Sequence, residues 1–94
     1  MSAYLIGHIS VKNGKLWDKY VTGVRESLSS YESKIIFRGQ LVSVLAGKHE
    51  HDRVVVIEFA DYPALNDWYH SEEYQSLITL REKAADVVIT TYEA

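Results

Sequence analysis

Apolar residues in this chain recur first at every second position and then at every third or fourth, and the changes of period mark out its elements. From Ala3 to Val11 the alternation of a strand holds, with Leu5, Ile9 and Val11 on one face and Tyr4, Ile6 and His8 on the other. Asn13-Gly14 reads as a turn, and a helix follows from about Lys15 to Tyr31. Leu16, Tyr20, Val24 and Leu28 form its apolar stripe, widened by Trp17, Val21 and Tyr31. A second strand runs from about Lys34 through Ile35, Ile36 and Phe37, with Gly39 marking a bulge or kink before Leu41 to Leu45. GKHEHD, from Gly47 to Asp52, reads as a polar hairpin. Arg53 to Phe59 (RVVVIEF) is the clearest strand, almost wholly β-branched and apolar on both faces. Asp61 is placed to cap a second helix, and Pro63 suits its first turn. Leu65, Trp68 and Tyr69 face inward, and a break near His70-Ser71 divides the helix. Tyr74, Leu77, Ile78, Arg81 and Ala85 share one side beyond it. Asp86 to Tyr92 forms the last strand.

The order β-α-β-β-α-β predicts an α+β, ferredoxin-like sandwich: a four-stranded antiparallel sheet with two helices on one face, where right-handed crossovers deliver them. Residues 1–94 make a single domain, too short for a second core. Two helices, each roughly 10 Å wide, cover one side of a sheet about 19 Å across, and nothing in the chain remains for the other side. Val54, Val56, Tyr4 and Ile6 lie on that open side. Bare apolar sheet on the order of several hundred Å² points to a partner surface. The simplest partner is a second copy about a two-fold axis, so the expected assembly is a homodimer closed through its bare faces as an α/β barrel. A wet face with snorkelling tyrosines is the alternative.

Composition narrows function more than fold. The net charge is −3, and the ten Lys and Arg are scattered, so no basic stripe exists for nucleic acid to engage. Without cysteine there are no disulfides, no thiolate chemistry and no cysteine metal site. MSAYLIGHIS lacks the cationic region of a signal peptide, and no apolar run approaches a membrane span. The expectation is a cytoplasmic protein with no nucleic-acid or membrane partner and no cofactor.

Three polar residues fall on the dimer-facing side of an otherwise apolar sheet: His8, Arg38 and Glu58. If Gln40 pairs with Glu58, Arg38 is the diagonal neighbour of Glu58, while His8 stands about 10 Å away along its strand. One reading is a polar pocket floor in which Arg38 binds an anionic or carbonyl group and Glu58 or His8, as catalytic residues, moves a proton. The other is a closed Arg38–Glu58 ion pair that fixes the dimer register in a non-catalytic binding or scaffold module. Trp68, Tyr69 and Tyr74 read either as an aromatic wall around a small ligand or as plain core. Arg81, on the same stripe, joins the candidate ligand-binding set, although a buried stem with a structural head fits it too. His49 and His51 flank Glu50 at a hairpin tip, and with only two imidazoles they read as a solvated loop rather than a metal site.

Several stretches together resemble a known family. AYLIGHI near the start, Trp17-Asp18 with Tyr20, IIFRGQ from Ile35, RVVVIEF from Arg53, Trp68-Tyr69, Glu73-Tyr74-Gln75, Arg81 and Ala84-Ala85 are similar, in order and spacing, to the domain of unknown function 1330 family within the dimeric α/β-barrel superfamily. The chain departs from that pattern at Gln40, Ala46 and Glu72. The resemblance implies a ferredoxin-like dimer. It implies no single reaction, because the superfamily ranges from cofactor-free oxygenases and isomerases to haem proteins.

Overall fold

Helix starts in this chain are set by short polar side chains that take up orphan amides. In the computed structural model, which describes residues 1–94, Asn13 accepts from the Leu16 amide and opens α1 (Gly14–Leu28). Asn13 is thus a cap rather than part of a free turn. Asp61 accepts from Ala64 N and, with Pro63 in the first turn, opens α2 (Tyr62–Tyr69). Ser71 does the same for α3 (Glu72–Gln75). The expected break at His70-Ser71 is present, and a second break at Ser76-Leu77 sets off α4 (Ile78–Ala84).

The strands β1 (Ala3–Val11), β2 (Ser33–Gln40), β3 (Arg53–Phe59) and β4 (Ala85–Glu93) form one antiparallel sheet in the order β2-β3-β1-β4. This is the ferredoxin-like arrangement expected from the element order. The spans of β1 and β3 agree with the sequence pattern to the residue. No helix is long and apolar enough to cross a membrane.

The second strand differs from expectation. Its irregularity lies at Ile36, not Gly39: Ile35 pairs with Ile57, but Phe37 pairs with Val56. The strand ends at Gln40, where the Leu41 amide makes a last ladder bond to Asp52 O. Residues 41–52 then leave the sheet, so Leu41 to Leu45 are not strand, and Leu41, Val42, Val44 and Leu45 are all exposed.

Ala3, Leu5, Ile57 and Phe59 point to the helical side and pack against Tyr20, Leu28, Leu65, Trp68 and Tyr74. Trp68 and Tyr74 are 2% and 0% exposed. The indole N–H of Trp68 needs an acceptor in this apolar setting. Ser27, itself buried, supplies it at 2.9 Å and donates its own proton to Val24 O. A buried indole N–H without its acceptor costs about 1–3 kcal/mol. Ser27→Ala is therefore expected to lower stability by roughly that amount in urea titrations. In a double-mutant cycle with Trp68→Phe, most of the loss should disappear, which checks that the indole contact is its source.

Candidate functional site

Helix α1 does not lie flat on the sheet. It packs chiefly on α4, and Gly23 comes so close to Leu77 that a Cβ there would sit 2.6 Å from Leu77 Cδ2. Leaning that way, α1 leaves a gap over the sheet that residues of all four strands border. The gap is a cavity of about 520 Å³, with twenty lining residues of which fourteen are hydrophobic. Trp17, Tyr20 and Val24 form its helix wall, Ile35, Val55 and Ile57 its floor, and Trp68 and Tyr74 its inner end. Sealed and empty, such a void would cost on the order of 12 kcal/mol at about 24 cal/mol per Å³, as much as the whole stability of a domain this size. It is not sealed. Arg25, Arg38 and Arg53 line it as well, and all three are exposed at its rim. None of the three is in an ion pair, and no carboxylate or imidazole lines the cavity.

Polar contacts at the inner end run across three helices. Arg81 Nη1 donates to the Tyr74 hydroxyl at 2.8 Å, and the Tyr74 and Tyr20 hydroxyls are 2.8 Å apart. Burial, and then the neighbouring Tyr74, push the Tyr20 phenol far above its ordinary value, so it stays protonated.

The structure divides the residues expected from sequence between two faces. Arg38, Trp68 and Tyr74 line the cavity, and Arg81 stands behind Tyr74. Tyr69 belongs to a separate, smaller cavity of about 170 Å³ between α2 and the sheet. Glu58 and His8 lie on the opposite, bare face. The expected Arg38–Glu58 pair is therefore corrected: Arg38 sits across from Val55 on the helical side, whereas Glu58 pairs with Lys34 and Tyr4. The extra residue at Ile36 is the physical reason, because a one-residue slip turns every following side chain to the other face. Glu58 accepts a 2.7 Å hydrogen bond from Tyr4, whose phenol is pushed up by that bond and then by burial. His8 is four positions along β1 from Tyr4, roughly 13 Å away at strand spacing, so Glu58 and His8 do not meet either.

Sequence reasoning missed Tyr20, Arg25 and Arg53 as site residues. Tyr20 read as one member of an apolar stripe. Arg53 was legible: in strict alternation with Val55 and Ile57 it had to fall on the helical side.

The connection at residues 49–51 also differs from a free loop. The His49 ring packs on His8 at 5.0 Å and lies 6.0 Å from His51. The His51 side chain is only 10% exposed, with Nε2 3.3 Å from Asp86 Oδ2 but without hydrogen-bond alignment. His8 Nδ1 is buried with no partner. Burial first, and then His49 and His51, hold the His8 imidazole below its ordinary value.

Residues 2–94 match the family described as Domain of unknown function (DUF1330). The chain belongs to the DUF1330 family. Among curated proteins nothing matches it. A solved protein of unknown function from Rhodopseudomonas palustris superposes on this DUF1330 chain with a TM-score of 0.84 at 13% identity, covering 99% of it and 82% of the other chain. SnoaB from Streptomyces nogalater, a cofactor-independent oxygenase, gives 0.69 at 8% identity over 99% and 92% of the two chains. A dimeric ferredoxin-like protein of unknown function from Jannaschia gives 0.69 at 10% identity over the full length of both. At these identities the likeness is one of fold.

The lowered His8 value has a consequence for acid stability. Above the ordinary imidazole value of about 6.5, folded and unfolded chains both hold His8 neutral. Below it the unfolded chain takes up a proton that the folded chain resists, so stability falls as pH drops toward the lowered folded value. The urea midpoint of the wild type should thus fall between about pH 7.5 and about pH 5.5, and fall less in His8→Gln, which removes the titrating ring.

Proposed function

We propose that the protein is a homodimeric small-molecule-binding module whose ligand is an apolar organic body carrying an acidic group. The observation that supports this most directly is the charge pattern of the larger cavity: a hydrophobic interior with three unpaired arginines and no carboxylate in its lining. In a chain of net charge −3 that local excess favours an anion. The volume, about 520 Å³, falls in the usual range for small-molecule pockets. In this reading Arg38 and Arg53 hold the acidic group by their forked N–H donors, Trp68 and Tyr74 pack on the body, and Arg81 acts through Tyr74. The earlier assignment of proton transfer to Glu58 and His8 finds no support in this cavity, since both lie on the other face.

Those two residues fit the second half of the proposal. Tyr4, Ile6, Val54, Val56 and Glu58 on the bare face continue into exposed Val88, Tyr92 and Phe37. A second copy is the occupant that fits, as in the dimeric ferredoxin-like protein from Jannaschia. Tyr4 already satisfies Glu58 within the chain, which lets the carboxylate go under a partner without being left unpaired.

Two measurements test the two halves. In thermal-shift and titration experiments, naphthoate should stabilise the protein while the neutral naphthamide does so less. Arg38→Gln and Arg53→Gln should each weaken naphthoate binding by roughly two- to fivefold, the size of an exposed ion pair. No naphthoate binding, or binding indifferent to both arginines, would count against the site. Sedimentation at micromolar concentration should show a dimer, and Val56→Asp should dissociate or unfold it, because burying an unpaired carboxylate costs several kcal/mol or about that order. A wild type that sediments only as monomer would rule out the second copy.

A further inference from the structure

The hydroxyl chain at the inner end of the cavity has a direction that the hydrogen-bond chemistry fixes. A guanidinium has five donors and no acceptor, so at the 2.8 Å contact Arg81 donates and the Tyr74 oxygen accepts. Tyr74 is 0% exposed, and its own proton has one acceptor within hydrogen-bond distance, the Tyr20 oxygen at 2.8 Å. Tyr74 therefore donates to Tyr20. That leaves the Tyr20 proton without a protein acceptor, on a ring that lines the cavity. Arg81 acts on Tyr20 both through Tyr74 and as a direct neighbour, and both effects make the Tyr20 O–H a better donor than an isolated phenol. The three residues come from α1, α3 and α4 and their neighbours hold them in place: Tyr20 against Trp17 at 5.1 Å, and Tyr74 against Trp68 at 4.5 Å and Tyr69 at 5.0 Å.

We propose that Tyr20 is the specificity-determining residue of this cavity, donating a hydrogen bond to a carbonyl oxygen at the buried end of the ligand, with Tyr74 and Arg81 as positioning residues. This rests on the reading of the cavity as a small-molecule site and adds the chemical class: a carboxylic acid whose far end carries a ketone or similar carbonyl acceptor. The two ends are read by different chemistry. Exposed arginines at the rim meet a full charge, whereas the buried end offers one neutral, pre-aligned donor. A neutral carbonyl suits that donor, because a charged group would have to shed its water in an apolar interior. A ligand with a methylene in place of the carbonyl would leave the Tyr20 proton buried and unpaired, and such a mismatch is what gives a hydrogen-bonding site its selectivity. Burial keeps the phenol protonated, so the donor persists through neutral and mildly alkaline pH.

The test compares para-acetylbenzoate with para-ethylbenzoate, which differ only by a carbonyl in place of a methylene at the end far from the carboxylate, using calorimetry on the purified protein. The wild type should bind the ketone roughly three- to tenfold more tightly, the size of one net hydrogen bond. Tyr20→Phe should bring the two ligands to nearly equal affinity, the ketone losing its hydrogen bond and the methylene compound no longer burying an unpaired proton. Arg38→Gln should weaken both equally. Infrared spectra of the bound ketone should show its carbonyl stretch at lower frequency in the wild type and not in Tyr20→Phe, a change that loss of packing alone would not produce. If Tyr20→Phe does not fold, Tyr74→Phe serves instead: Tyr20 then loses the donor that orients it, and the preference should shrink. A ketone preference that survives in Tyr20→Phe or is undiminished in Tyr74→Phe, or a wild type that binds both compounds equally, overturns the roles given to these tyrosines and leaves the cavity site standing. A wild type that binds neither compound overturns the cavity reading and this inference with it.

Discussion

The contact between Tyr20 and Tyr74 ties α1 to the segment that follows α2, and the rest of the helical layer depends on it. A helix in a two-layer α+β domain usually buries its stripe directly on the sheet. Here α1 is drawn to one side, with Gly23 against Leu77 and the phenol of Tyr20 bonded across to Tyr74. Its Trp17 and Val24 then overhang the sheet without filling the space beneath them. A side chain larger than hydrogen at position 23 would press on Leu77. The hydroxyl contact also has to be satisfied once buried, since an unpaired phenol among aromatic rings would cost about 1–3 kcal/mol. The geometry that opens the cavity and the hydrogen bonds that furnish its inner end thus share the same residues.

The sheet keeps two chemistries apart because its side chains alternate. On the helical side, Arg38 and Arg53 flank an apolar floor. On the bare side, Tyr4 and Glu58 satisfy each other among valines. Alternation leaves the cavity and the bare face with largely different residues, although Val54 of the bare face also borders the cavity. The bulge at Ile36 is what puts Arg38 on the cavity side. Without a register shift, Ile36 would sit across from Val56 and Arg38 across from Val54, on the bare face beside Glu58, and the rim would lose one of its three cations.

That same bulge explains which parts of the site were legible in the sequence. β1 and β3 declare themselves because each alternates, or is apolar, over its whole length, and their pairing follows from topology. The cap at Asp61 was marked by its own chemistry and the helix break near His70-Ser71 was legible too, although the capping role of Ser71 was not read. β2 gives no such signal: Ile35, Ile36 and Phe37 are consecutive apolar residues, and a run of that kind fits either register equally well. Gly39 drew attention as the residue most tolerant of a bulge, yet it pairs regularly with Val54. Arg38 was therefore given the wrong face and the wrong neighbours. Tyr20 was hidden for a different reason. Its position on an apolar stripe is the one that core packing would predict, and only the hydroxyl, invisible to periodicity, distinguishes it.

The histidine corner shows how a sequence can understate burial. GKHEHD has the composition of a solvated hairpin, but the chain must return from Gln40 to Arg53, and β3 begins beside the end of β1. Residues 49–51 are thereby carried past Ser10, which donates to Glu50 O, and the two imidazoles come down on His8 and beside Asp86. The exposed Leu41, Val42, Val44 and Leu45 are the other half of that detour. They have left the ladder with nothing in the chain to cover them. A second copy meeting the bare face, as proposed, would find this apolar arm at the same end of the sheet as the imidazoles, where covering it would offset the exposure seen in one chain.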